Sequence, residues 1–220
     1  MNTTAGTAPM IAGTRPVTGL DRLAPLSGVA FFALLASSAA TAGETPADHA
    51  SGQTVLSLFA AHAGAEKLSN LLAGAGVVFL VFFASWLRGY LRDRGAAALA
   101  SAAYAGALIL AVGGAARAGI GWALATGHDQ LDPSAAQALN AVFVSHHPAI
   151  VGIAIFMFAV WGSTLRTGAL PAWLGWAALP IALLAVAPPS LVPLIATGMW
   201  MTVAGIVMFL REGRAQAVPA

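Results

Sequence analysis

Long apolar stretches constrain this chain before anything else. Scanning for the roughly 20 apolar residues that cross a hydrocarbon core about 30 Å thick finds six stretches, at residues 23–42, 68–87, 96–116, 148–165, 172–187 and 191–210. Lipid offers no partner to a backbone N–H or C=O, so a crossing segment is a helix or a strand of a closed barrel. The Ala, Leu and Val runs lack the two-residue alternation of barrel strands, which predicts an all-α, polytopic transmembrane bundle of six spans. Composition agrees: 8% of the 220 residues are charged, 59% are hydrophobic and the mean hydropathy is +0.81, against about a quarter charged in soluble domains. A soluble globular protein is excluded.

Further classes fall away. The chain has no cysteine, hence no disulfide framework, thiolate metal site or cysteine nucleophile. A formal charge of +2 on scattered cations is not the basic patch a nucleic-acid partner requires. No span carries a haem-ligating His or an Asp or Glu paired with a cation, and there is no phosphate loop.

Cationic residues set the expected orientation, since Lys and Arg in short loops stay in the cytoplasm. Arg15, Arg22, Arg88, Arg92, Arg94, Arg166, Arg211 and Arg214 fall on one side, Lys67 alone on the other, and Arg117 within an extended third helix. Both termini are therefore expected inside the plasma membrane: residues 1–22 a disordered cytoplasmic segment, 23–210 the transmembrane domain and 211–220 a cytoplasmic tail. The first span has a second reading as a cleavable signal, because Ala40, Thr41 and Ala42 precede Gly43. Cleavage would leave five spans; the long apolar run favours retention.

The two longest loops, 43–67 and 127–147, lie on the outer side. The segments DHASGQTVLSLFAAH (48–62) and DPSAAQALNAVFVSH (132–146) align at an offset of 84, matching Asp48 with Asp132, Gln53 with Gln137, Phe59 with Phe143 and His62 with His146. Each reads as a short amphipathic helix, capped by Ser51 in one case and by Asp132 before Pro133 in the other. Leu139, Val142 and Phe143 share one face of the second; Val55, Leu58, Phe59 and His62 share one face of the first. Two outer interfacial helices in a duplicated unit of helix, short helix and helix follow, with the last two spans as a third hairpin lacking its insertion. Coincidence of amphipathic pattern is the competing explanation.

All five histidines, His49, His62, His128, His146 and His147, are expected outside, with Glu44, Asp48, Glu66, Asp129 and Asp132. His62, His146 and Asp132 are the candidate metal ligands, though no compact signature such as H-E-x-x-H links them, and adjacent His146 and His147 cannot both serve one site from a helix. Solvated histidines at helix ends are the plainer reading, and no resident cofactor is expected. Arg117 lies about 31 Å along its helix from Ala96 at about 1.5 Å per residue, near the outer limit of the hydrocarbon. Snorkelling, pairing with Glu66 and gripping an anionic substrate or lipid all suit it. The third span is rich in small residues, Ala100, Ala103, Gly106, Gly113, Gly114, Ala118 and Gly121, which predicts a central position. Pro180 predicts a kink in the fifth, and Trp173 with Trp176 an interfacial belt.

Several of these stretches carry a resemblance. FFALLASSAA, LFAAHAGAEKLSNLL, WLRGYLR, LDPSAAQALN and TLRTGALPAWLGWAAL resemble a family of uncharacterised actinobacterial multi-pass membrane proteins. Its pattern has an aromatic and a His three residues on, here Phe59 and His62, then D-P-x-x-A-Q-A-L at 132–139 and R-T-G-x-L-P-x-W-L-G-W at 166–176. Ala172 departs from it, standing where a basic residue is usual. The likeness spans residues 30–210 and implies about six helices with no assigned activity.

The resulting expectation is a non-enzymatic membrane protein whose outer face engages a lipid, a small solute or a membrane partner, with Phe59, Phe143, Glu66 and Arg117 as the residues of interest. A small-molecule or ion transporter using Arg117 and the kinked fifth span is the alternative, and a metal-dependent membrane enzyme the third.

Overall fold

The structure is a computed structural model that describes residues 23–187 and 191–216. Expectations for residues 1–22, the hairpin at 188–190 and the last four residues lie outside it. The described residues form helices and no strand. After a short 3-10 turn, Ala24–Leu26, come α1 (Ser27–Thr41), α2 (Gly52–Ala61), α3 (Ala63–Asp93), α4 (Ala97–Gly127), α5 (Pro133–Val144), α6 (His147–Thr167), α7 (Ala172–Val186) and α8 (Val192–Gln216). Five helical segments are long and apolar enough to cross a membrane, while α2 and α7 are shorter. At 15 residues, α7 spans about 22 Å, less than a hydrocarbon core. The helix of α8 continues past residue 210, so the expected tail begins as helix.

Five long apolar helices and the shorter α7 follow one another around a ring. Contacts run from α1 to α3, α3 to α4, α4 to α6, α6 to α7, α7 to α8, and from α8 back to α1. Two turns are set by glycines at positive φ, where a Cβ is costly: Gly95 (φ 86°) between α3 and α4, and Gly168 (φ 60°) as the left-handed cap that stops α6. At this arginine-bearing end, the Tyr90 hydroxyl donates to Ala169 O at 3.0 Å, tying α3 to the α6–α7 turn. On α7, which runs on through Pro180, Leu174 O accepts from Trp200 Nε1 of α8 at 2.9 Å.

The expectation that α4 is central is corrected. One side of α4 packs on α3 and another on α6, while Val112 and Trp122 on the far side are exposed. The more enclosed helix is α6, with nine of 21 residues buried against ten of 31 in α4. The small residues of α4 serve its crossings, because without a hydrophobic drive membrane helices associate by close dispersion contact. A Cβ on Gly106 would lie 2.5 Å from Phe156 N, and one on Gly152 would strike Leu110 N, so the α4–α6 crossing is backbone against backbone. Gly28 and Gly205 do the same where α1 and its preceding turn meet α8.

This geometry sets a test. Gly152→Val should cost at least about 2 kcal/mol through overpacking that no rotamer relieves, read as a lowered midpoint of thermal unfolding in detergent. Gly64→Ala, with nothing within 4 Å of its Cβ position, should leave the midpoint unchanged.

Candidate functional site at the histidine-bearing end

Helix length builds this site. At 31 residues each, α3 and α4 extend about 46 Å, some 16 Å more than a hydrocarbon core, and α2 and α5 pack around part of that surplus at one end. Val55 and Phe59 of α2, Ala136 and Phe143 of α5, and Leu124 and Ala125 of α4 form one buried cluster. Gly52 meets the backbone of Pro133 at the start of the two short helices. Phe59 and Phe143 meet edge to face near their ends, 5.9 Å between centroids. The helices therefore run side by side in the same direction, as a cap.

Both start signals read from the sequence operate. Ser51 Oγ accepts from Thr54 N at 3.3 Å, and Asp132 Oδ1 accepts from Ser134 N at 2.8 Å and from Ser134 Oγ at 2.6 Å. These bonds to its charged form hold the Asp132 carboxyl below the usual carboxylate range. The buried face of α5 needs one correction: it is Ala136, Asn140 and Phe143, whereas Val142 is 58% exposed. Asn140 is a site residue that amphipathic reading overlooks; its Nδ2 donates to Ala47 O at 3.1 Å, pinning the chain before α2 onto α5, while its buried Oδ1 has no partner.

Three of the four matched pairs share their burial, the exception being His62, exposed, and His146, half-buried. Phe59 and Phe143 are both buried, while Gln53, Gln137, Asp48 and Asp132 are all exposed. Phe59 and Phe143 are thus cap interior rather than an open contact surface.

Beneath the cap lies Arg117. Gly113, one turn below it, faces Ala149 of α6, and Gly121, one turn above, receives Asn70 of α3. The residue between them therefore lies on the stripe of α4 that faces α3 and α6. Its guanidinium sits over the Phe143 ring, with Cζ 4.1 Å from the centroid. Its Nε is buried without a hydrogen-bond partner. Glu66 acts on it electrostatically, yet the carboxylate is already engaged, with Oε1 accepting from Gly43 N at 2.8 Å. A desolvated cation–π contact contributes about 2 kcal/mol or somewhat more, whereas withdrawing an ion from water costs several.

Polar groups continue along α3. Asn70 Nδ2 donates to Glu66 O at 2.8 Å, and Ser69 Oγ donates to Ser38 O of α1 at 2.9 Å. Ser38, Ser69 and Asn70 are all buried. Their sequence signal is the adjacent polar pair Ser69 and Asn70 inside an apolar span.

The histidines divide. His62 caps α2, is exposed, and holds Nδ1 3.2 Å from Leu58 O. His146 and His147 line a common cleft of about 480 Å³ with Asp48, His49, Ala141, Val144, Ser145 and Leu191. Adjacent residues manage this because the chain leaves helical geometry at Ser145 and His146, the break between α5 and α6. Ser145 Oγ and His147 Nδ1 share a hydrogen bond of 2.9 Å. His62, His146 and Asp132 do not converge: among the described residues, no three His, Asp or Glu side chains are placed to hold a metal ion.

Comparison of the chain with protein-family models, with curated proteins and with solved structures finds no match.

Removing the α5 cap gives a second test. Asp132→Ala should speed amide hydrogen exchange in the first turn of α5 while α4 and α6 keep their protection. Because the folded-state pKa of Asp132 is lowered, its stabilisation is full above the unfolded carboxylate pKa and fades as pH falls through the folded value. Acidification of the wild type should therefore reproduce the loss, and the variant should be insensitive over that interval.

Proposed function

We propose that this chain is a non-enzymatic multi-pass protein of the plasma membrane that engages a lipid, a small solute or a membrane partner at its outer, histidine-bearing end. The observation that carries the reading is Arg117, a cation without a hydrogen-bonded partner in the described structure, held under an aromatic cap beside an open cleft. A charge near membrane depth whose neighbouring carboxylate, Glu66, forms no direct ion pair with it is a functional candidate. The resemblance to uncharacterised actinobacterial membrane proteins supports the architecture and supplies no reaction. Transport is the second reading, favoured by one observation: Arg117 lies on the inward stripe of α4 rather than on its lipid-facing one.

Orientation rests on the arginine distribution, with both termini cytoplasmic. Reporter tags inserted after Arg92 and after Asp132 should report opposite compartments; a shared compartment overturns the topology. For the ligand, the purified full chain should retain one molecular species, quantified by mass spectrometry after exchange into fresh detergent. Phe143→Ala, which opens the cap, should release it; retention of nothing by the wild type counts against binding. In sealed vesicles the wild type should carry flux of the retained species that Arg117→Ala abolishes if the protein is a transporter, and should itself show no flux if it is a receptor or carrier surface.

A further inference from the structure

We propose that Arg117 and the cleft at the α5–α6 junction form a binding site for an oxyanion, the carboxylate or phosphate group of the ligand, and this rests on the outer-face binding reading above. The guanidinium has one face against Phe143 at 4.1 Å. Its N–H donors radiate in the guanidinium plane, so stacking leaves the hydrogen-bonding edge available, the arrangement in which arginine grips carboxylate or phosphate with two parallel bonds.

That edge is unused by the described residues. Nε is sealed from solvent and lacks a partner, while the two terminal nitrogens make no hydrogen bond and are not sealed in the same way. The one carboxylate that acts on Arg117, Glu66, forms no ion pair with it and is bound to the Gly43 N–H instead. Bound there, Glu66 lowers the cost of holding the cation without occupying its donors.

Access is at hand. Val144, Ser145 and His146, the residues directly after Phe143, line the cleft, whose volume of about 480 Å³ lies within the roughly 300–1,000 Å³ of small-ligand sites. His146 senses both Arg117 within and Asp48 at the rim. His49 and His147 add donors around the mouth, and Asp48 is the one acidic residue among the lining groups. Arg117 is not itself a lining residue of the cleft; it adjoins the lining through Phe143, on which it stacks, and through His146, on which its charge acts.

A lipid headgroup and a soluble anion share this chemistry, and the test separates them. Full-length protein in nanodiscs of phosphatidylcholine is titrated with inorganic phosphate and with acetate. In parallel it is placed in nanodiscs containing phosphatidylglycerol, and retained lipid is counted by native mass spectrometry. The expected result is retention of phosphatidylglycerol over phosphatidylcholine, or saturable binding of one free anion, falling about tenfold or more in Arg117→Gln, as loss of a charged hydrogen-bond pair implies. Competition by free phosphate against retained phosphatidylglycerol assigns both to one site. Should Arg117→Gln fail to fold, Arg117→Lys keeps the charge without the fork and is expected to bind more weakly than wild type.

Wild-type protein that shows neither lipid preference nor anion binding overturns the proposal, as does undiminished binding in a folded Arg117→Gln. A species released by Phe143→Ala but still held by Arg117→Gln would leave outer-face binding standing and remove the oxyanion from it.

Discussion

Hydrocarbon satisfies no backbone hydrogen bond, and every level of this structure answers to that constraint. The apolar spans close their hydrogen bonds internally as helices, and the irregular backbone between them is confined to the two ends. Only where α3 and α4 outrun the thickness of a hydrocarbon core does the chain have room for helices of another kind. The surplus turns of α4 give α2 and α5 an apolar post to pack on, through Leu124 and Ala125. The cleft and the covered arginine both depend on that cap.

Close approach is the second determinant. Aligned glycines let α4 and α6 touch main chain to main chain, and the same crossing holds Ala149 against Gly113, one turn from Arg117. Packing and site are therefore one structure. The guanidinium is directed inward because the glycines beside it commit that stripe of α4 to neighbouring helices. Its electrostatics are asymmetric in a way the two aligned segments make visible. The two aligned segments share their phenylalanine, glutamine, aspartate and histidine positions, but four residues beyond each histidine the first segment leads to Glu66 and the second to Ile150. One carboxylate thus serves a cap built from two similar halves.

Much of the site's vocabulary was legible in the chain, and its grammar was not. Phe59, Phe143, Glu66 and Arg117 all gather at one end, as their positions in the outer loops and adjoining helix ends suggested. The two caps were also readable, because a cap is a local bond between residues two or three apart. Asn140 escaped notice because its partner, Ala47, is remote in sequence. His146 and His147 share a cleft only because the helix is interrupted between α5 and α6, and periodicity presumes continuity. Val142 looked apolar enough to belong to the buried face, but which apolar neighbour turns inward depends on what lies opposite.

Sequence by itself determined that the chain is helical, how many apolar stretches it has and where the short helices begin, since these depend on hydropathy, length and local hydrogen bonding. Tertiary structure alone decided the order of helices around the ring, the peripheral place of α4, the stacking of Phe143 on Arg117 and the engagement of Glu66 by Gly43 rather than by the cation. Those outcomes turn on which surfaces meet across long separations, and in an Ala-, Gly- and Leu-rich chain many pairings satisfy the same hydropathy. The steric fit of glycine against backbone selects among them.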